Sequence, residues 1–130
     1  MKNAIATTQA PQAIGPYSQA VSAGPWLFCS GQIGLDPAQG ELVGGGVEAE
    51  TNRVLENLRA VLAAAGATLD NVVRTTIYLV DLGDFGRVNE IYARFFRAPF
   101  PARATVGVAA LPRGARIEID AIAMIEKSKV

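Results

Sequence analysis

Apolar and polar positions alternate most clearly toward the C-terminus. Over residues 103–110, Ala104, Val106, Val108 and Ala110 fall on one side of an extended chain, and Arg103, Thr105, Gly107 and Ala109 on the other. Residues 116–125 repeat the pattern. Ile117, Ile119, Ala121, Ala123 and Ile125 make an apolar face, opposite Arg116, Glu118, Asp120, Ile122 and Met124. Leu111-Pro112-Arg113-Gly114 reads as the turn between two strands. So short a connection excludes a helical crossover, so the strands are expected to run antiparallel, as direct neighbours or on either side of a third. The pattern points Ala104 at the core and leaves Arg103 and Glu118 on non-core faces. They lie toward opposite ends, offset by about five residues or about 17 Å.

The rest of the chain divides by the same reading. Residues 2–8 suit a short edge strand, and 9–16, with Pro11, Gly15 and Pro16, a loop that delivers Tyr17 and Ser18. Residues 19–23 and 27–30 form a hairpin across Gly24-Pro25. The glycine-rich stretch 34–46 has no phosphate-binding spacing and is expected to be a mobile loop. In 48–65, Val54, Leu55, Leu58, Val61, Leu62 and Ala65 recur at helical spacing after Val47. Glu48 and Glu50 suit the positive end of that helix, and Gly66 its C-terminal cap. Residues 72–80 are a β-prone strand. Asp81 or Asp84 caps a second helix reaching about Arg97, and its stripe of Phe85, Val88, Ile91, Tyr92, Phe95 and Phe96 reads as core. Residues 127–130 read as a frayed tail. The fold class is α+β, a mixed sheet with two helices packed on one face. The other sheet face carries Gly107, Ala109, Ile122 and Met124 among few charges, which suggests burial against another subunit.

Composition narrows the chemistry. The 130 residues make one domain, 1–130, and half of them are hydrophobic. Twelve basic and twelve acidic residues cancel, so there is no electrostatic footprint for nucleic acid or an acidic membrane. There is no histidine and one cysteine, Cys29, read as a small buried hydrophobe. A metal site and a disulfide framework are therefore not expected, and proton transfer falls to carboxylates, tyrosines, lysines or water. No apolar run suggests a signal peptide or a membrane span, and the cytoplasm is the expected compartment. At this point Arg103 and Glu118 have two readings: ordinary charges on a solvated sheet face, or a site.

Four segments carry a resemblance: IGPYSQA from Ile14, SGQIGLDP from Ser30, VNEIYARFF from Val88, and PARATVGVAALPRGARIEIDAIA from Pro101. In this order and spacing the chain resembles the Rid (reactive intermediate deaminase) family over nearly its whole length. The match is closest to its 2-iminobutanoate/2-iminopropanoate deaminase branch. The resemblance implies a chorismate-mutase-like fold, a homotrimer with three clefts between subunits, and no cofactor or metal. It puts the substrate arginine at Arg103, the water-positioning glutamate at Glu118 and the tyrosine after Gly-Pro at Tyr17. The Ser-Gly pair becomes Ser30 and Gly31, and the helix-two asparagine Asn89. Thr105 stands where cysteine or threonine is common, and Ala104 replaces a frequent serine.

The implied substrate is a small 2-imino acid, the tautomer of an enamine released by pyridoxal-dependent lyases. Arg103 suits its carboxylate, because a planar guanidinium makes two parallel hydrogen bonds that lysine does not. Glu118, in an apolar strand, suits a proton shuttle for water attacking the imine carbon. Tyr17, Gly31 and Thr105 suit positioning of the imine. Two other classes stay open: a module that binds a small carboxylate without turnover, and the endoribonuclease or translation-inhibitor activity attributed to some relatives.

Overall fold

The chain builds six strands and two α-helices: β1 Lys2–Ile5, β2 Ala20–Ala23, β3 Trp26–Gln32, α1 Gly46–Ala64, β4 Val72–Leu79, α2 Phe85–Phe95, β5 Ala102–Gly107 and β6 Ile117–Met124. This is the architecture of a computed structural model that describes residues 1–125; the tail expected over 127–130 lies outside them. One sheet holds all six strands in the order β1-β2-β3-β6-β4-β5. The β4–β5 pair is parallel, and the other four pairs are antiparallel. The parallel pair follows from connectivity: α2 lies between β4 and β5 and supplies the crossover that parallel neighbours need. β5 and β6 thus flank β4 as a third strand.

Both helices cover one face of this sheet. Val54, Leu55, Leu58, Val61 and Leu62 of α1, and Val88, Ile91 and Tyr92 of α2, pack with Leu27, Ile77, Leu79, Ile117 and Ile119 of the strands. The Tyr92 and Thr75 hydroxyls share a 2.8 Å hydrogen bond between α2 and β4. α1 ends as its glycine suggests. Gly66 has φ +78°, its N–H reaches Ala63 O, and the Ala67 N–H reaches Leu62 O.

Three expectations change. Glu48 does sit in the first turn of α1, but Glu50 is fully buried and binds Arg116, so it serves no exposed helix end. Arg116 accordingly reaches back to α1 instead of sharing the outer face with Glu118. Asp81 caps a short 3-10 turn, Leu82–Asp84, by accepting from the Gly83 N–H. Asp84 stands at the start of α2 without a side-chain cap bond and instead accepts from Arg87, and the helix stops at Phe95. The 34–46 stretch is a loop up to the start of α1 at Gly46, with hydrogen bonds of its own. Leu35 bridges Leu42, and the Asp36 carboxylate accepts from the Ala38 and Gln39 N–H groups.

This loop is anchored to α1 by Asn57. Its Nδ2 donates to the carbonyls of Ile33 (3.3 Å) and Leu35 (3.0 Å), and its Oδ1 accepts from Arg53 Nε. Because Asn57 is fully buried, no water replaces it. Asn57→Ala is expected to cost about 2–3 kcal/mol of stability through the stranded carbonyls, read as a lower midpoint in urea denaturation.

Candidate active site

Register decides where the candidate residues stand. Arg103 is paired with Thr75 and Thr105 with Ile77. Thr75 and Ile77 are buried beneath the helices, so Arg103 and Thr105 lie on the helix side of edge strand β5. Ala104, paired with Thr76, points to the open face. This reverses the expectation that Ala104 faces the core. Alternation was read correctly, but β5 lies at the sheet edge, where its small side chains do not reveal which face the helices cover. Glu118 is paired with Tyr78 on the open face.

The Arg103 and Glu118 Cα positions therefore differ by three residues along β4, about 10 Å, and by two strand spacings, about 10 Å more. The five-residue estimate was too long along the strand but missed the larger separation: the side chains leave opposite faces of the sheet. Within one chain they belong to two different clefts.

The first cleft, about 420 Å³, is lined by Asn89, Tyr92, Ala93, Phe100, Pro101 and Arg103. Arg103 Nη1 donates to Asn89 Oδ1 at 2.8 Å, and the guanidinium lies over the rings of Tyr92 (4.8 Å) and Phe85 (5.3 Å). These contacts fix the plane of the fork, and no carboxylate of the described residues forms an ion pair with it. Two of the candidate residues, Asn89 and Arg103, are thus brought together.

The second cleft, about 410 Å³, gathers Tyr17, Gly31, Ile33, Arg113 and Glu118 among its lining. A Cβ on Gly31 would overlap Glu118 Oε2 and lie 2.8 Å from its Cδ, so glycine is what lets β3 run beside that carboxylate. Burial raises the Glu118 proton affinity first, and the neighbouring Asp120 charge raises it further. Asp120 itself accepts from Tyr78 Oη at 2.8 Å, a bond that holds the phenol protonated above its usual range. Cys29 is buried and its thiol is pushed up to about 12 by desolvation and then by Asp120, so it lacks the thiolate character of a nucleophile.

Two named residues have other partners. The Ser30 hydroxyl donates to the Ser18 carbonyl at 2.6 Å, tying β3 to the 14–20 segment. Thr105 lines neither cleft. Two residues that the sequence did not single out matter here. Gln19 is buried; its Nε2 donates to the carbonyls of Thr7, Ala10 and Pro11, and its Oε1 accepts from the Thr7 N–H, fastening the loop that carries Tyr17. Arg113, at φ +61°, donates to Gly40 O at 3.0 Å and closes one wall beside Glu118. Periodicity carries no signal for a buried amide in a loop, and the Leu-Pro-Arg-Gly turn marks a bend without saying what it faces.

Known proteins share this arrangement of segments. The family model described as Endoribonuclease L-PSP matches residues 7–125. Protein DfrA of Myxococcus xanthus is 62% identical over 125 residues, 95% of each chain. The 2-iminobutanoate/2-iminopropanoate deaminase of Mus musculus is 55% identical over 124 residues, covering 95% of this chain and 92% of that one. Among solved structures, YyfA of Yersinia pestis, from the Rid protein family, superposes with a TM-score of 0.94 at 48% identity, over 96% of this chain and all of that one.

Glu118 generates a pH prediction. Its folded-state proton affinity lies above that of an unfolded chain, so folding favours the protonated form. Its contribution is fully present below the ordinary carboxyl value of 4.5 and is lost as pH rises through the elevated folded value. Glu118→Gln removes that loss. The variant is expected to gain thermal stability relative to the parent as pH rises above 4.5, measured as a difference in Tm that grows with pH.

Proposed function

The chain belongs to the Rid/L-PSP family, and on that premise we propose that it is a hydrolytic deaminase converting small 2-imino acids and their enamine tautomers to 2-keto acids and ammonia. The observation that carries the proposal is the division of labour between the two clefts: a carboxylate-binding fork in one and a carboxyl of raised proton affinity in the other. The substrate class follows the Mus musculus relative, a 2-iminobutanoate/2-iminopropanoate deaminase.

Arg103 binds the substrate carboxylate through the donors not used on Asn89. Glu118 takes a proton from water as the water oxygen adds to C2 and delivers it to the imine nitrogen, giving a carbinolamine with a hydroxyl and an amine. Glu118 then takes the hydroxyl proton and passes it to the amine, so the C–N bond breaks and ammonia leaves as the C2 carbonyl forms. Tyr17 and the main chain at Gly31 orient the imine. Free imines hydrolyse unaided in water, so positioning and one proton shuttle are enough chemistry for the rate required.

One substrate needs both clefts, and one chain holds them on opposite faces of its sheet. We therefore assign the site to the junction of two subunits in a cyclic homotrimer, Arg103 from one and Glu118 from the next. The open face supports such an assembly: Phe28 is 47% and Trp26 41% exposed, beside Ile122 and Met124 on β6. The endoribonuclease description of the family model supplies a second reading. Zero net charge and the absence of histidine give RNA binding and cleavage little to work with.

Two outcomes test the proposal. Arg103→Lys is expected to lower kcat/KM for a freshly generated imine by about 10- to 100-fold, since one charge-assisted bond and the fork geometry are lost; ammonia release measures it. Arg103→Ala and Glu118→Ala chains are each expected to be inactive and to regain activity when mixed. Random trimers place both intact residues in about a quarter of the clefts. No recovery after verified subunit exchange would show that the two groups do not meet between chains.

A further inference from the structure

Glu50 is a charged side chain with 0% exposure, far in sequence from every candidate site residue. Burying a carboxylate is costly unless its oxygens are bonded. Here Oε1 accepts the Arg116 main-chain N–H at 2.8 Å and Oε2 accepts Arg116 Nη1 at 2.8 Å. The two bonds differ in character. The Arg116 side chain is 56% exposed, which weakens the ion pair by solvent screening. The main-chain bond fixes the peptide at the entry to β6. The Arg116 carbonyl, on the same residue, accepts from the Val80 N–H at 3.2 Å. Two residues further on stands Glu118.

The same point on α1 also sets the opposite wall of the Glu118 cleft. A Cβ on Gly34 would lie 3.0 Å from Glu50 Cα, so the main chain there rests directly on the helix. Ile33 and Leu35, on either side of Gly34, line that cleft. One helical turn therefore positions both the strand that presents Glu118 and the loop that faces it.

We propose that Glu50 is a positioning residue for Glu118, acting through the Arg116 main-chain N–H rather than through the Arg116 charge. The proposal rests on the catalytic role given to Glu118. It separates two substitutions of similar size. Glu50→Gln keeps an acceptor oxygen for the N–H, whereas Glu50→Leu keeps the volume and leaves the N–H without a partner.

The test measures imine turnover together with the titration of the Glu118 carboxyl, followed by ¹³C NMR. The glutamine variant is expected to match the parent in both within about twofold. The leucine variant is expected to lose about tenfold or more in kcat with KM little changed, and its Glu118 midpoint to fall as the carboxyl moves toward water. A leucine variant equal to the parent in both readouts overturns the proposal. So does a glutamine variant as impaired as the leucine one. If the parent shows no turnover, the deaminase reading falls, and the titration alone decides whether Glu50 positions Glu118. If the leucine variant does not fold, Arg116→Ala decides: it keeps the main-chain N–H and is expected to behave as the parent, and a tenfold loss there overturns the proposal.

Discussion

The site depends on one constraint, the placement of β4 between a parallel neighbour and an antiparallel one. The α2 crossover makes β5 parallel to β4, and the 108–116 connection then brings β6 back antiparallel on the other side of β4. Registers follow: Arg103 opposite Thr75, and Glu118 opposite Tyr78. A slip of one residue in β5 would carry Arg103 to the open face and bring Ala104 under the helix. The Arg103 bond to Asn89 and its stacking over Tyr92 oppose that slip, since both partners belong to α2. The residue that the functional reading assigns to substrate binding therefore also helps to hold the strand that carries it.

Separation of the two groups has an electrostatic consequence. An arginine within a few ångströms of a glutamate would hold the glutamate ionised and draw its proton affinity down. It would also engage the guanidinium in an ion pair within the chain. On opposite faces neither happens. Arg103 rests on two aromatic rings with an amide as its polar partner. Glu118 faces burial and Asp120, both of which raise its proton affinity. In the proposed function each group meets a partner outside its own chain. A substrate with a carboxylate at one end and a hydrolysable carbon at the other fits the pair better than either group fits the other.

The elements were legible because their patterns are long. Helix α1 repeats apolar positions from Val54 to Leu62, and the burial of β6 alternates without interruption, so type and face were both readable from the residues. β5 was legible as a strand but not in orientation. Its small side chains, Ala102, Ala104 and Gly107, do not distinguish a covered face from an open one. The candidate site residues were named as a set through four segments of family resemblance. Their grouping into two clefts was not, because it arises from strand order and parallel pairing, which periodicity does not encode. Glu50 was misassigned for a related reason. A glutamate near a helix start has the same sequence signature whether it faces water or a strand end.

Asn57, Gln19 and Glu50 share a physical logic that explains why they escape pattern analysis. Each is a polar side chain buried at 4% exposure or less, and each satisfies main-chain groups that lie outside the named helices and strands. Gln19 holds the loop before Tyr17, Asn57 the loop after β3, and Glu50 the entry to β6. Loops placed against a core must find partners for their N–H and C=O groups. A buried amide or carboxylate supplies directional partners where an apolar side chain supplies none. Directionality is what the Glu118 cleft requires, because it is walled mostly by loops and turns rather than by strand centres. The apolar core fixes the sheet and helices, and the polar anchors carry that rigidity outward to the segments surrounding Tyr17 and Glu118. A fold with no histidine and a thiol too buried to react can in this way hold the Glu118 carboxyl, the proton shuttle of the proposed function, in place with ordinary amides and carboxylates.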